Sequence, residues 1–336
     1  MEEERHFFDE FSGGKTSGFF ALPQSGSSRK NFIAKTDDAQ FVVTYNDNLR
    51  ENESFFYFSE KFSKLNLNTP KIFKISNDRK IYIQEYLGGN TFSEIIENEG
   101  LSERVKRLVK KTLQNLYNFQ IATKNHIDYT KTFEYEKFDH IPILNDLNYF
   151  KFLFIDILEI PYHKSSLLKE FNNLAEQIEN LAPKTLMIRD FQARNIMVNE
   201  KDDVFFIDYQ AAMEGPAMYD VVSFLFQAKA NFPDDFKKEM LHFYISLFED
   251  EYERRSLEKS VLPIRLIRNL QVLGAYGFRG LVQKREHFIK SIDNGIKNLY
   301  ATAETWDQMD LYPELKALIL KLNTSDTKEK IEKLKD

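Results

Sequence analysis

Asp190, Asn195 and Asp208 stand in the stretch TLMIRDFQARNIMVNEKDDVFFIDYQAA, residues 185–212, which is otherwise apolar enough to read as buried. Buried polar groups need partners, and an ionised carboxylate needs a cation or several donors. A bound metal supplies one. Mg²⁺ takes hard oxygen ligands in octahedral geometry, most of them from phosphate and water, so one carboxylate and one amide on adjacent strand ends suffice. Asn195 follows Asp190 by five residues and Asp208 follows thirteen later. That order suits metal-assisted phosphoryl transfer, in which the first Asp accepts the proton of an acceptor hydroxyl while the amide and the second carboxylate hold the metal. Taken singly, Asp190 or Asn195 reads as a turn residue capping a hairpin.

The elements that position these residues follow from periodicity. LMIRDFQARNIMV and DVFFIDYQAA each read as a short strand running into a loop, with NEKDD as the turn between them. The three polar residues then sit at strand ends, where loops carry function. Upstream, GFFALP, NFIAK and QFVVTY predict an antiparallel meander between Gly18 and Tyr45. ENESFFYFSEKFSKL, from Glu51 to Leu65, has helical spacing, and RKIYIQEYLGG returns to strand before Gly88 and Gly89. Most of the remaining length is amphipathic helix by its 3–4 spacing. The end, NTSDTKEKIEKLKD, reads as a solvated or frayed helix.

At 336 residues the chain is long enough for one large or two modest domains. Lys plus Arg number 46 against 52 Asp plus Glu, a net charge of −6, which argues against a dedicated nucleic-acid binder. No cysteine is present, so disulfides and thiolate metal sites are excluded, and the six histidines show no zinc-ligand spacing. The acidic start MEEERHFFDEF lacks the features of a secretory signal, and the most apolar run, YFKFLFIDILEIPY, is broken by Lys151, Asp156 and Glu159 and is too short to span a bilayer. A soluble cytoplasmic protein without membrane or nucleic-acid partners is the expectation. FSGGKTSG, residues 11–18, suggests a Walker loop, but the glycine required five positions before Gly14 falls on Asp9.

The chain resembles the aminoglycoside phosphotransferase family, the small-molecule relatives of protein kinases. IRDFQARNIM stands where that family has its catalytic loop, and FFIDYQAAMEGPAMYDVVSFL is similar to its metal aspartate with the Gly-Pro and Asp-helix segment that follows. LPQSGSSRKNF, EYLGGNTF and RNLQVLGAYGFRG, with these, are most similar to the branch of bacterial N-acetylmuramate and N-acetylglucosamine anomeric kinases. The resemblance implies an α+β, bilobal protein-kinase-like fold using ATP and Mg²⁺. A small antiparallel-sheet lobe, residues 1–88, precedes a mainly helical lobe, residues 89–322, and a charged tail, residues 323–336.

Carried over residue by residue, the resemblance makes Asp190 the catalytic base and Asn195 and Asp208 the metal ligands. Ser25, Gly26, Ser27 and Ser28 form the loop over the ATP phosphates, binding through backbone amides that make an anion nest. Glu53 stands at the position of the family's helix glutamate, although its other reading is an exposed carboxylate. The Glu85 carbonyl and Leu87 amide face adenine. Arg194, Arg268, Tyr276 and Arg279 fall on the substrate side, the last three also reading as a solvated helix face, and Asp220 braces the catalytic loop. Two departures stand out. FVVTYN lacks the strand lysine that contacts the α and β phosphates, so Arg29, Lys30 or Lys35 must supply that charge, with Arg29 favoured. Ile188 replaces the histidine of many relatives.

The function expected is transfer of the γ-phosphoryl group to a hydroxyl of a small-molecule acceptor, an N-acetylated amino sugar at its anomeric position. An aminoglycoside or choline-type phosphotransferase is the alternative within the fold. A nucleotide-binding regulator without turnover is the alternative of another class, motivated by the missing lysine.

Overall fold

The computed structural model describes residues 1–23 and 29–334. In chain order the first part runs α1 (Glu2–Ser12), β1 (Gly18–Ala21), β2 (Lys30–Lys35), β3 (Gln40–Tyr45), α2 (Leu49–Lys64), β4 (Ile72–Ile75), β5 (Ile81–Glu85), β6 (Asn90–Thr91), α3 (Phe92–Glu99) and α4 (Glu103–Thr123). Then come α5 (His140–Phe150), α6 (Lys164–Glu179), β7 (Lys184–Met187), β8 (Ile196–Val198), β9 (Val204–Phe206), β10 (Met213–Pro216) and α7 (Met218–Leu225). The last elements are α8 (Asp234–Ser246), α9 (Glu251–Tyr276), α10 (Glu286–Ile289), α11 (Ile292–Thr305), α12 (Pro313–Leu322) and α13 (Ser325–Lys333). These pack as two compact units, residues 1–136 with 188–213, and residues 137–187 with 214–336.

In the first unit an antiparallel sheet has the order β1-β2-β3-β5-β4. Strand β2 alternates burial, with Phe32 and Ala34 inward, as a one-faced strand must. The inward residues join Val43, Ile81 and Ile83 in a core closed by Phe8 of α1. Helix α1 forms from the acidic start, and its single fully buried aromatic, Phe8, holds it against the sheet. Helix α2 begins at Asn48, whose side chain accepts from the Glu51 N–H, and buries Phe55, Phe58 and Phe62 along one stripe. A smaller sheet, β6-β8-β9, pairs Ile196 with Phe206. Helix α4 attaches to its turn: Lys111 Nζ reaches Asp203 at 2.9 Å, and Arg104 donates to Asp202 at 2.7 Å.

The second unit is mainly helical, with β7 and β10 paired. Helix α9 crosses α5 so closely that a Cβ on Gly274 would lie 2.9 Å from the Phe150 nitrogen. A Cβ on Gly277 would lie 1.9 Å from the Leu153 carbonyl oxygen, in the π-helical turn Gly277–Val282 that continues α9. Only glycine permits that approach. The charged tail forms α13, anchored by buried Thr327 and Ile331. Among the described residues no helix is long and apolar enough to cross a membrane.

Candidate active site

The loop from Asp190 to Asn195 closes on itself. The Asp190 N–H donates to the Ile188 carbonyl at 3.0 Å, the Asn195 N–H to the Gln192 carbonyl at 2.8 Å, and Asn195 Nδ2 to the Asp190 carbonyl at 2.9 Å. The five-residue spacing therefore has a local cause: the amide side chain of Asn195 ties off the loop that begins at Asp190. With Nδ2 so engaged, Asn195 Oδ1 is the side-chain atom that accepts no hydrogen bond among the described residues. Ile188, in place of histidine, is buried as a packing residue. Arg189 precedes Asp190 in the left-handed region at φ 72°, a sparsely used conformation that clusters at functional sites.

The β8–β9 hairpin carries Asp208 to the same end. The Ile207 N–H donates to the Asn195 carbonyl at 3.1 Å, directly beyond the Ile196 and Phe206 pair, and Asp208 follows at φ 64°. Tyr209 beneath it is fully buried, stacked on Phe55 at 5.1 Å and hydrogen-bonded to Ser59 at 2.7 Å. Ser54 donates to the Gln210 carbonyl at 2.8 Å. Helix α2 and the Asp208 loop are thus joined by both packing and hydrogen bonds.

Arg29 lies on Asp208. Its Nη2 donates to Asp208 Oδ1, its Nη1 to Gln210 Oε1 at 3.4 Å, and its Nε lies 3.5 Å from Glu51 Oε1. Burial alone would lower the guanidinium pKa, but Asp208 first, with Tyr82 and Glu51, more than offsets this and the pKa is raised. Beside Arg29 and Thr44 the Tyr82 hydroxyl is pushed up to about 12 by burial, so it is neutral at physiological pH. Lys30 instead lies over the Tyr45 ring at 5.3 Å, and Lys35 over Phe20 at 5.8 Å. Of the three candidates for the missing strand charge, Arg29 alone reaches the carboxylates. Thr44 on β3 donates to Asn31 at 2.8 Å and accepts from Gln84 at 3.0 Å.

The other expected residues fall as follows. Ser25, Gly26, Ser27 and Ser28 lie outside the described residues. Glu53 does not join Arg29: it is exposed and pairs with Arg79, whose Nη2 is 2.7 Å from Glu53 Oε2. Glu51, two residues earlier, is the helix glutamate that approaches Arg29, and the helical stripe carries the signal, since Glu51 heads the Phe55, Phe58 and Phe62 face. Glu85 ends β5 with its N–H on the Lys71 carbonyl at 2.8 Å, and half-buried Leu87 follows. Arg194 Nη2 lies 3.0 Å from Asp190 Oδ2, both side chains substantially exposed. In the second unit Arg268 is buried and donates to the Tyr219 hydroxyl at 3.2 Å and to Gln271 at 3.0 Å, so it braces α9 to α7. Tyr276 and the Arg279 guanidinium both pack on Phe288, at 6.0 and 5.3 Å. A cavity of about 1110 Å³ lies elsewhere in the first unit, lined by Arg50, Phe56, Lys71, Ile75 and Arg79; of the expected residues it includes only Glu53.

The donor set fits Mg²⁺. Among the described residues Asp208 Oδ2 and Asn195 Oδ1 accept no hydrogen bond, and both belong to the same end of the hairpin. No group of three or more His, Cys, Asp or Glu side chains suited to a metal occurs among the described residues. A cation here would draw its remaining ligands from phosphate oxygens and water, the usual situation for Mg²⁺.

None of the curated proteins matches the chain in sequence. Among solved structures it is similar to the choline kinase LicA from Streptococcus pneumoniae, at 15% identity with a TM-score of 0.61 over 89% of this chain and 99% of that one. An ethanolamine kinase from Plasmodium vivax aligns at 15% identity with a TM-score of 0.60 over 88% and 85%. The streptomycin–ATP–APH(2")-IIa ternary complex aligns at 17% identity with a TM-score of 0.55 over 85% and 97%. The architecture is therefore kinase-like, as expected. Residues 20–257 match the phosphotransferase enzyme family, APH, and the chain belongs to that family of phosphotransferases.

Proposed function

We propose that this phosphotransferase transfers the γ-phosphoryl group of ATP to a hydroxyl of a small polar acceptor, the anomeric hydroxyl of an N-acetylated amino sugar. The observation that carries the reading is the joining of Asp190, Asn195, Asp208 and Arg29 within one compact unit. Asp190 accepts the acceptor proton at its carboxylate, with Arg194 3.0 Å away to hold that carboxylate in place. Asn195 and Asp208 hold the metal, Arg29 the nucleotide phosphates, and the segment from Glu85 to Leu87 the adenine. Mg²⁺, when bound with ATP, would neutralise charge on the phosphoryl oxygens. Phosphoryl transfer of this kind rests on positioning and charge stabilisation, which so short a polar set can supply. With Arg29 seated on Asp208, the absence of a strand lysine no longer motivates a regulator without turnover.

Two observations support an amino sugar over a choline-type or aminoglycoside acceptor. The resemblance of the segments quoted above implies the anomeric-kinase branch. The expected acceptor-side residues Arg194 and Arg279 are cations, which suit neutral or anionic acceptors and oppose positively charged ones, whereas Arg268 is committed to Tyr219 and Gln271. The test is ATP consumption over a panel of N-acetylglucosamine, N-acetylmuramic acid, aminoglycosides, choline and ethanolamine, with the product checked for the acid lability of an anomeric phosphate. Turnover with an N-acetylated sugar and a labile product is expected. A stable 3- or 6-phosphate would overturn the anomeric assignment, and preference for choline or an aminoglycoside would overturn the acceptor class.

A further inference from the structure

One cation serves two carboxylates at this site. Asp208 Oδ1 accepts from Arg29 Nη2 and from Gln210 Nε2 at 3.1 Å, and Glu51 Oε1 lies 3.5 Å from Arg29 Nε. The three side chains retain only 16, 14 and 29% exposure for Arg29, Glu51 and Asp208, so their charges are poorly screened. A divalent cation on Asp208 Oδ2 would meet the guanidinium on Oδ1 as a like charge, which weakens the hold of each on the carboxylate. The two carboxylates differ in how firmly they are held. Glu51 Oε2 also accepts from Asn46 Nδ2 at 3.0 Å, and its helix is fixed by the buried Phe55, Phe58 and Phe62. Asp208 sits on a loop residue in the left-handed region, with Oδ2 accepting from no described residue.

Resting on the reading above, we propose that Arg29 is a shared cation: it neutralises Asp208 in the empty site and passes to the nucleotide phosphates when metal takes Asp208. Glu51 is the positioning residue that keeps the guanidinium in place through both states. A purely structural Arg29 would affect metal and nucleotide in the same direction. A shared cation affects them in opposite directions, because it competes with the metal and attracts the phosphates.

The experiment measures Mn²⁺ binding without nucleotide by electron paramagnetic resonance, and Mg·ATP and adenosine binding by calorimetry. Arg29→Ala is expected to bind Mn²⁺ at least about threefold more tightly, the scale of losing one competing ion pair. It should bind Mg·ATP roughly 10- to 100-fold more weakly, the scale of a charge-assisted contact, with adenosine unchanged. Arg29→Lys should lie between Arg29→Ala and the wild type in both assays. Glu51→Gln should weaken Mg·ATP by about three- to tenfold, while Glu60→Gln, on the exposed side of α2, should leave it within about twofold. Should Arg29→Ala fail to fold, Arg29→Gln carries the same comparison. Weaker or unchanged Mn²⁺ binding in the Arg29 variant overturns the shared cation, and if Mg·ATP is nonetheless weakened the kinase reading stands. A wild-type protein that binds neither Mn²⁺ nor Mg·ATP overturns both.

Discussion

Asp190 and Asp208 are the same residue type, and what touches them suits them to different work. The Asp190 carboxylate is 38% exposed and, among the described residues, meets the exposed Arg194 side chain at 3.0 Å. Asp208 is closed in by Arg29 and Gln210, both of which donate to Oδ1, while Oδ2 accepts from no described residue. Asp190→Asn is therefore expected to keep Mg·ATP binding by calorimetry while turnover falls by ~10²–10⁴-fold or more, the scale of a lost general base. A turnover within about threefold of wild type would remove Asp190 from that role. Asp208→Asn should instead lose most Mg²⁺-dependent nucleotide binding, with the thermal transition measured without nucleotide little changed; unaltered Mg·ATP affinity in the folded variant would cancel the metal assignment. Asp190, Asn195 and Asp208 were legible in the sequence because a self-closing loop and a short hairpin bring them together locally. The Arg29 contact spans 179 residues, and no spacing rule reaches that far.

At the scale of elements, periodicity located what it could. Strands β1 to β3 and helix α2 announce themselves through alternation and the phenylalanine stripe, whereas β4 is four residues long and α1 buries little more than Phe8. Glu51 and not Glu53 approaches Arg29 for a physical reason: the two lie on opposed faces of one helix, and the face carrying Phe55, Phe58 and Phe62 turns toward Arg29. Helix α2 then couples packing to the Arg29 contact, because the residues that bury it also turn Glu51 toward Arg29. Phe58 is fully buried and stacks on Phe62 at 5.5 Å. Phe58→Ala is expected to cost about 3–5 kcal/mol in denaturant unfolding. Under conditions where the variant remains folded, its Mg·ATP affinity should fall while adenosine affinity changes less, since the helix reaches the phosphate side through Glu51. A loss of stability with both affinities intact would show that α2 packs without positioning.

At the scale of the whole molecule, residues 188–213 fold with the first 136 residues, so the expected nucleotide machinery belongs to one unit and the expected acceptor residues Arg268, Tyr276 and Arg279 to the other. Mg·ATP at about 100 times its Kd adds about 2.7 kcal/mol to the stability of what it binds, and hydrogen exchange should slow in α2, β8 and β9. The acceptor residues divide by their partners. Arg268 is committed to Tyr219 and Gln271 inside the core, so Arg268→Ala should cost about 1–3 kcal/mol of stability, the scale of lost charged hydrogen bonds, whatever the acceptor. Arg279 rests on Phe288 at the edge of a π-helical turn, pinned by the close crossing at Gly277. Such turns recur at functional sites. Arg279→Ala should therefore raise the acceptor KM by roughly tenfold, the scale of one charged contact, with the thermal transition nearly unmoved and the KM for ATP unchanged. An unaltered acceptor KM with N-acetylglucosamine and N-acetylmuramic acid alike would take Arg279 out of acceptor recognition, and a fall in stability without a change in KM would assign it to packing beside Arg268.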